Sequence, residues 1–111
     1  MTAHPAPDPG SDPSDPVTVR VEDDLDHETC DTLLAAVAGA LRAHPSARAV
    51  RLDCGAMTMC DSMGLSALLQ VRRLTDTAGL RLVIDHRPPL LDRLLELTGT
   101  ADYLLGPPGP A

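Results

Sequence analysis

Three short runs with strand periodicity, each followed by a stretch long enough to return as a helix, restrict this chain more than any other feature. In the first, VTVRV, Val17, Val19 and Val21 alternate with Thr18 and Arg20, the period-two pattern of a half-buried strand. The second, AVRLDC from Ala49 to Cys54, sets Val50 and Leu52 against Arg51 and Asp53. The third, LRLVI from Leu80 to Ile84, is apolar enough to be a central strand. Between the first two, Leu33, Leu34, Val37 and Leu41 recur at helical spacing with Cys30 one turn earlier, so a helix is predicted from about His27 to Ala43. Asp26 is its candidate cap, and it also stands where a short acidic side chain can face a partner. A second helix is predicted from Ser62, its band formed by Leu65, Leu68, Leu69, Arg72 and Thr75 and its end marked by Gly79. After Pro88 and Pro89 a leucine-rich helix runs to Gly99, and Tyr103 to Leu105 reads as a short edge strand. Helical crossovers between strands imply an α/β domain with a largely parallel sheet.

The chain of 111 residues has room for one such domain. Five of its eleven prolines fall within the first sixteen residues, among Asp, Ser and Gly, a composition that buries too little surface to offset the entropy of ordering. The expected organisation is therefore a loose tail over 1–15, the domain over 16–106 and a flexible C-terminal tail over 107–111. The opening MTAHPAPDPGSDPSD has no basic start followed by an apolar run, and no apolar stretch approaches membrane-spanning length. A soluble, cytoplasmic protein without a membrane partner is the expectation.

Nine basic residues, all arginine and scattered along the chain, stand against sixteen acids for a net charge of −7. That balance repels a phosphate backbone, and with Tyr103 as the only Phe, Tyr or Trp the chain has no row of base-stacking rings. Direct nucleic-acid binding is not expected. Cys30, Cys54 and Cys60 show no CxxC spacing and leave one over in any pairing, which favours reduced thiols acting as small buried hydrophobes. No metal or cofactor is expected.

Packing explains MTMCDSMGLS, residues 57–66, least well. A helix start carries free N–H groups and a positive dipole end, so Ser62 there can cap the helix when unmodified and hold a phosphate when modified. Asp61 can orient its hydroxyl, and Gly64 lets a partner approach the backbone closely. The plainer reading is Ser62 as an N-cap and Asp61 as a turn residue. Neither the nucleophile elbow G-x-S-x-G nor a phosphate-binding P-loop is present, so enzyme chemistry and a set of catalytic residues are not expected.

The run LDCGAMTMCDSMGLSALLQVRRLTDTAGLRLVIDHRPPLLDRLLELTG, with DDLDHETCDTL earlier in the chain, resembles the STAS domain found in bacterial anti-sigma factor antagonists. The resemblance spans roughly Val17 to Leu105. It implies a STAS-like, mixed but largely parallel sheet of four or five strands, with three to four helices packed mainly on one face. It also implies that Ser62 is the serine phosphorylated by a cognate anti-sigma factor serine kinase. A partner surface would then include Asp26, Asp61, Ser62, Met63, Gly64 and Leu65. Unphosphorylated, such a protein binds the kinase and releases a sigma factor; phosphorylation reverses this, and a phosphatase acting on phosphoserine restores it. The alternative is a STAS scaffold that no kinase modifies, in a signalling assembly or as an accessory subunit of a lipid-transport complex. A monomer or weak dimer is expected.

Three departures from the family pattern stand out. Met63 occupies a place that is commonly Ser or Thr. Asp23 stands where Gly is usual. The usual first strand is replaced by DPGSDPSDP, which leaves four strands and an edge either bare or paired in an unusual way.

Overall fold

The computed structural model describes residues 15–107; most of the expected N-terminal tail, 1–14, and the end of the C-terminal one, 108–111, lie outside the described residues. In chain order the elements are β1 (Val17–Leu25), α1 (Cys30–Ala43), β2 (Ala49–Cys60), α2 (Ser62–Thr77), β3 (Arg81–Asp85), α3 (Pro89–Thr98) and α4 (Ala101–Leu105). The sheet has three strands in the order β1-β2-β3, with both pairings parallel. This corrects the expected mixed sheet of four or five strands: among the described residues no strand lies outside β1. It also places β3 at an edge. The apolar residues of β3 are needed because α2 and α4 cover it, not because strands flank it on both sides.

Strand alternation survives in the burial pattern. Val50, Leu52, Cys54, Leu82 and Ile84 are buried on the face that the helices cover. Thr18, Arg20, Arg51, Asp53, Val83 and Asp85 occupy the opposite positions and retain solvent contact. Parallel sheets are usually covered on both faces; here the open face is polar instead. Arg51 Nε lies 3.2 Å from the Asp85 carboxylate, and His86 Nδ1 lies 3.2 Å from Asp53. Such pairs at the surface are screened by water and contribute little to stability.

β2 is longer than the alternation AVRLDC suggests. It runs on to Cys60, paired throughout with β1, but its register slips between Arg20/Glu22 and Asp23/Asp24. Each slip gives β2 one extra residue, a bulge that turns the strand and breaks the period of two. The buried side chain beyond the first slip is therefore Met57, out of phase with Cys54.

The expected edge strand at Tyr103 to Leu105 is the helix α4. Gly99, at φ 71°, reverses the chain after α3 in a left-handed conformation. Leu104 then enters the core with no exposed surface, beside Leu91 and Leu95. Arg72 of α2 locks this end in place. Its guanidinium, 3% exposed as a residue, donates to the carbonyls of Tyr103, Gly106 (3.2 Å) and Pro107 (2.5 Å). Asp76 balances its charge from one turn away at 2.9 Å, and the Tyr103 ring lies 5.0 Å from it. The last carbonyls of a helix need such donors, and only tertiary packing brings this arginine to them.

Removing one member of a buried ion pair strands the other, at a cost of about 3 kcal/mol. Arg72→Met is expected to lower stability by that amount in urea unfolding. Amide exchange should accelerate first in α4.

Candidate functional site

Two corners that are distant in sequence meet where β1 and β2 end together, with Leu25 opposite Cys60 in the last rung of the pairing. The backbone N–H of Asp61 donates to the Leu25 carbonyl at 3.3 Å, tying the entry of α2 to the end of β1. Asp61, not Ser62, is the N-cap of α2: its backbone is extended and its Oδ1 accepts from the Gly64 amide at 2.9 Å. This corrects the plainer reading of the corner. An aspartate at this position is as strong a cap as a serine, so Ser62 is released from the capping role.

Ser62 is the first helical residue and is exposed. Among the described residues nothing engages its hydroxyl in a hydrogen bond. Met63 beside it is 49% exposed. Gly64 and Leu65 turn inward and are buried. A Cβ on Gly64 would lie 2.2 Å from the Leu25 carbonyl oxygen and 2.9 Å from Cys60 Sγ. The glycine is thus required by the domain's own backbone.

The acidic corner is held by its own bonds. α1 starts at Cys30 with Thr29 as N-cap, which corrects the expected start at His27 with Asp26 as cap. Asp26 instead closes a turn: its Oδ1 accepts from the Glu28 amide at 2.9 Å, and its carbonyl accepts from the Cys30 amide at 2.9 Å. Thr29 Oγ1 donates to the Asp24 carbonyl at 2.9 Å. Asp23, where glycine is usual, has φ 57°, the left-handed region that glycine enters most easily and aspartate tolerates. Thr58 reaches across from β2 and donates to Asp24 Oδ1 at 2.6 Å. Sequence reasoning missed Thr58, because the bulged end of β2 hid its place in a strand.

The chain matches the family model described as "Mlab, STAS domain" over residues 11–106. It belongs to the STAS domain family. Solved structures share its fold, and two of them are instructive. The anti-sigma factor antagonist SpoIIAA in its unphosphorylated form superposes with a TM-score of 0.66 at 17% identity, covering 81% of this chain and 77% of that one. The Bacillus cell fate determinant SpoIIAA in the phosphorylated form gives a TM-score of 0.61 at 17% identity, covering 81% and 80%. No curated protein sequence matches the chain.

Cys54 and Cys60 of this STAS domain are poorly suited to nucleophilic chemistry. Burial pushes Cys54 up to about 12, with Asp53 and Cys60 adding to the effect, and pushes Cys60 up to about 11, with Asp61 adding. A nucleophilic cysteine needs the opposite shift. Among the described residues no group of three or more His, Cys, Asp or Glu is placed to hold a metal ion, and no helix is long and apolar enough to cross a membrane.

Two outcomes follow. Gly64→Ala is expected to cost about 1–3 kcal/mol in chemical denaturation, because the Leu25 carbonyl cannot move without disturbing the last rung of the sheet. The raised thiols also make the domain sensitive to alkali. The unfolded chain releases these protons near pH 8.5 and the folded chain only near 11 or above. Their effect is therefore absent below about pH 8.5 and erodes stability as pH rises beyond it. Urea midpoints taken from pH 7 to about 10 should fall above about 8.5, and less so in Cys54→Val.

Proposed function

We propose that this STAS domain is an anti-sigma factor antagonist: unphosphorylated, it binds a cognate anti-sigma factor serine kinase in the cytoplasm and releases a sigma factor. Phosphorylation of Ser62 by that kinase switches it off, and a phosphoserine phosphatase switches it back. The observation that carries this reading is an exposed serine in the first turn of α2 whose hydroxyl has no structural task, because Asp61 caps the helix. A phosphate there adds about −1.5 to −2 charges at the helix end whose dipole tolerates them. The domain keeps its fold while a bulky anion enters any interface covering that turn.

In this reading Ser62, Met63 and Asp26 meet the partner directly, and Asp61, Gly64 and Leu65 hold the turn in position. The likeness to SpoIIAA, solved in unphosphorylated and phosphorylated forms, supports a domain that tolerates both states. A second reading, a STAS scaffold that no kinase modifies, draws support from Met63, whose exposed apolar side chain suits a standing protein contact.

Incubation with ATP and an anti-sigma kinase encoded near the gene should add one phosphate by intact mass, and Ser62→Ala should abolish it. Ser62→Asp should retain the circular dichroism melt of the parent while binding that kinase at least about tenfold more weakly. Equal binding by Ser62→Asp would favour the scaffold.

A further inference from the structure

β2 outruns its neighbour on one side. Its pairing with β3 stops at Asp53, opposite Asp85, whereas its pairing with β1 continues to Cys60. Among the described residues no strand lies beside Cys54–Cys60 on the β3 side. The flank is taken by α3 at a distance that leaves a groove of about 320 Å³, lined by Thr58, Met59, Cys60, Leu90, Leu94 and Leu97, with Arg93 among them. An amphipathic helix normally turns charge outward. Here α3 presents Leu97, 77% exposed, and Leu90, 39% exposed. Arg93 stands between them, exposed and without a hydrogen bond or ion pair among the described residues.

We propose that this groove receives an extended segment of a partner protein, in which apolar residues alternate with a carboxylate. Beyond Gly55, whose N–H donates to Asp53 Oδ1 at 2.9 Å, the edge of β2 offers N–H and C=O groups to such a segment, as sheet edges do in strand addition. Leu90 and Leu97 are about 10 Å apart along the helix axis, the length of about three strand residues. Same-face side chains recur about every 7 Å along such a segment, so two apolar ones reach the two leucines from between them, and an acidic neighbour meets Arg93. The charge selects the occupant: a second copy docked groove to groove across a two-fold axis would set Arg93 against its own equivalent. The groove is lined as far as Cys60, which Asp61 and Ser62 follow directly in the chain. A phosphate on Ser62 would confront the acidic segment, so the same modification would weaken both contacts. This link to Ser62 rests on the function proposed above; the groove itself does not.

Random linear peptides displayed on phage, panned against the full chain, are the probe. Selected sequences should alternate apolar residues with Asp or Glu. A synthetic copy should bind Arg93→Glu and Leu97→Asp at least about tenfold more weakly than the parent and slow amide exchange at residues 56–60. Both positions are exposed, so the melts of the two variants should match the parent; Arg93→Gln serves as the milder variant if the reversal disturbs α3. Selection of nothing, of peptides indifferent to both substitutions, or of apolar residues at helical spacing would overturn the proposal. So would a dimer dissolved by Leu97→Asp, which would assign the groove to a second copy. A kinase that phosphorylates Ser62 and binds both variants like the parent would refute the groove alone. Groove-dependent peptide binding with no phosphorylation would refute the Ser62 switch alone.

Discussion

The first turn of α2 rests on the last carbonyl of β1, and the rest of the site depends on that contact. Leu25 O accepts the Asp61 amide, and the absence of a side chain on Gly64 lets the helix come close enough for it to do so. Asp61 caps the helix in the same few ångströms. With backbone and cap both satisfied, Ser62 and Met63 are left projecting from a turn that needs neither of them to stand. A modifiable hydroxyl is useful only where the scaffold does not already use it, and here the neighbouring aspartate releases it.

The sheet distributes its tasks unequally. One face carries the core, in which Leu52, Leu68, Leu91, Leu95 and Leu104 are essentially fully buried; each such side chain contributes about 1.5–3 kcal/mol. The other face stays in water and compensates its charges laterally. β2 serves both as the centre of the sheet and, beyond Asp53, as the platform that carries the corner past the end of β3. Its bulges against β1 turn Thr58 toward Asp24 and so connect the platform to the acidic corner. Arg72 closes the opposite end of the core by gathering the carbonyls of Tyr103, Gly106 and Pro107 at and just beyond the end of α4.

Periodicity revealed each element whose pattern was unbroken. Val17 to Val21, Leu33 to Leu41 and Leu65 to Thr75 fall in the strand and helices that their spacing predicts, and Gly79 and Gly99 take the left-handed conformations expected at helix ends. The pattern failed where a bulge shifted phase, as at Gly55 to Cys60, and where too few residues stood to define a period, as at Tyr103 to Leu105. Of the site, the DS-x-GL corner could be located in the text, but the division of labour within it could not. Ser, Thr and Asp are comparable caps, so composition cannot tell which of Asp61 and Ser62 serves. Asp26 and Thr29 posed the same problem one corner earlier.

Strand and helix order from β1 to α3, the acidic balance and membership in a family recognised by its corner motif were all written locally, because each rests on spacing or composition within one segment. The three-strand sheet of the described residues, the glycine's true neighbour, the freedom of Ser62, the clamp of Arg72 and the open flank of β2 were decided only in the folded chain. Each is a relation between groups far apart in sequence, set by which surfaces the packing brings into contact and which it leaves exposed.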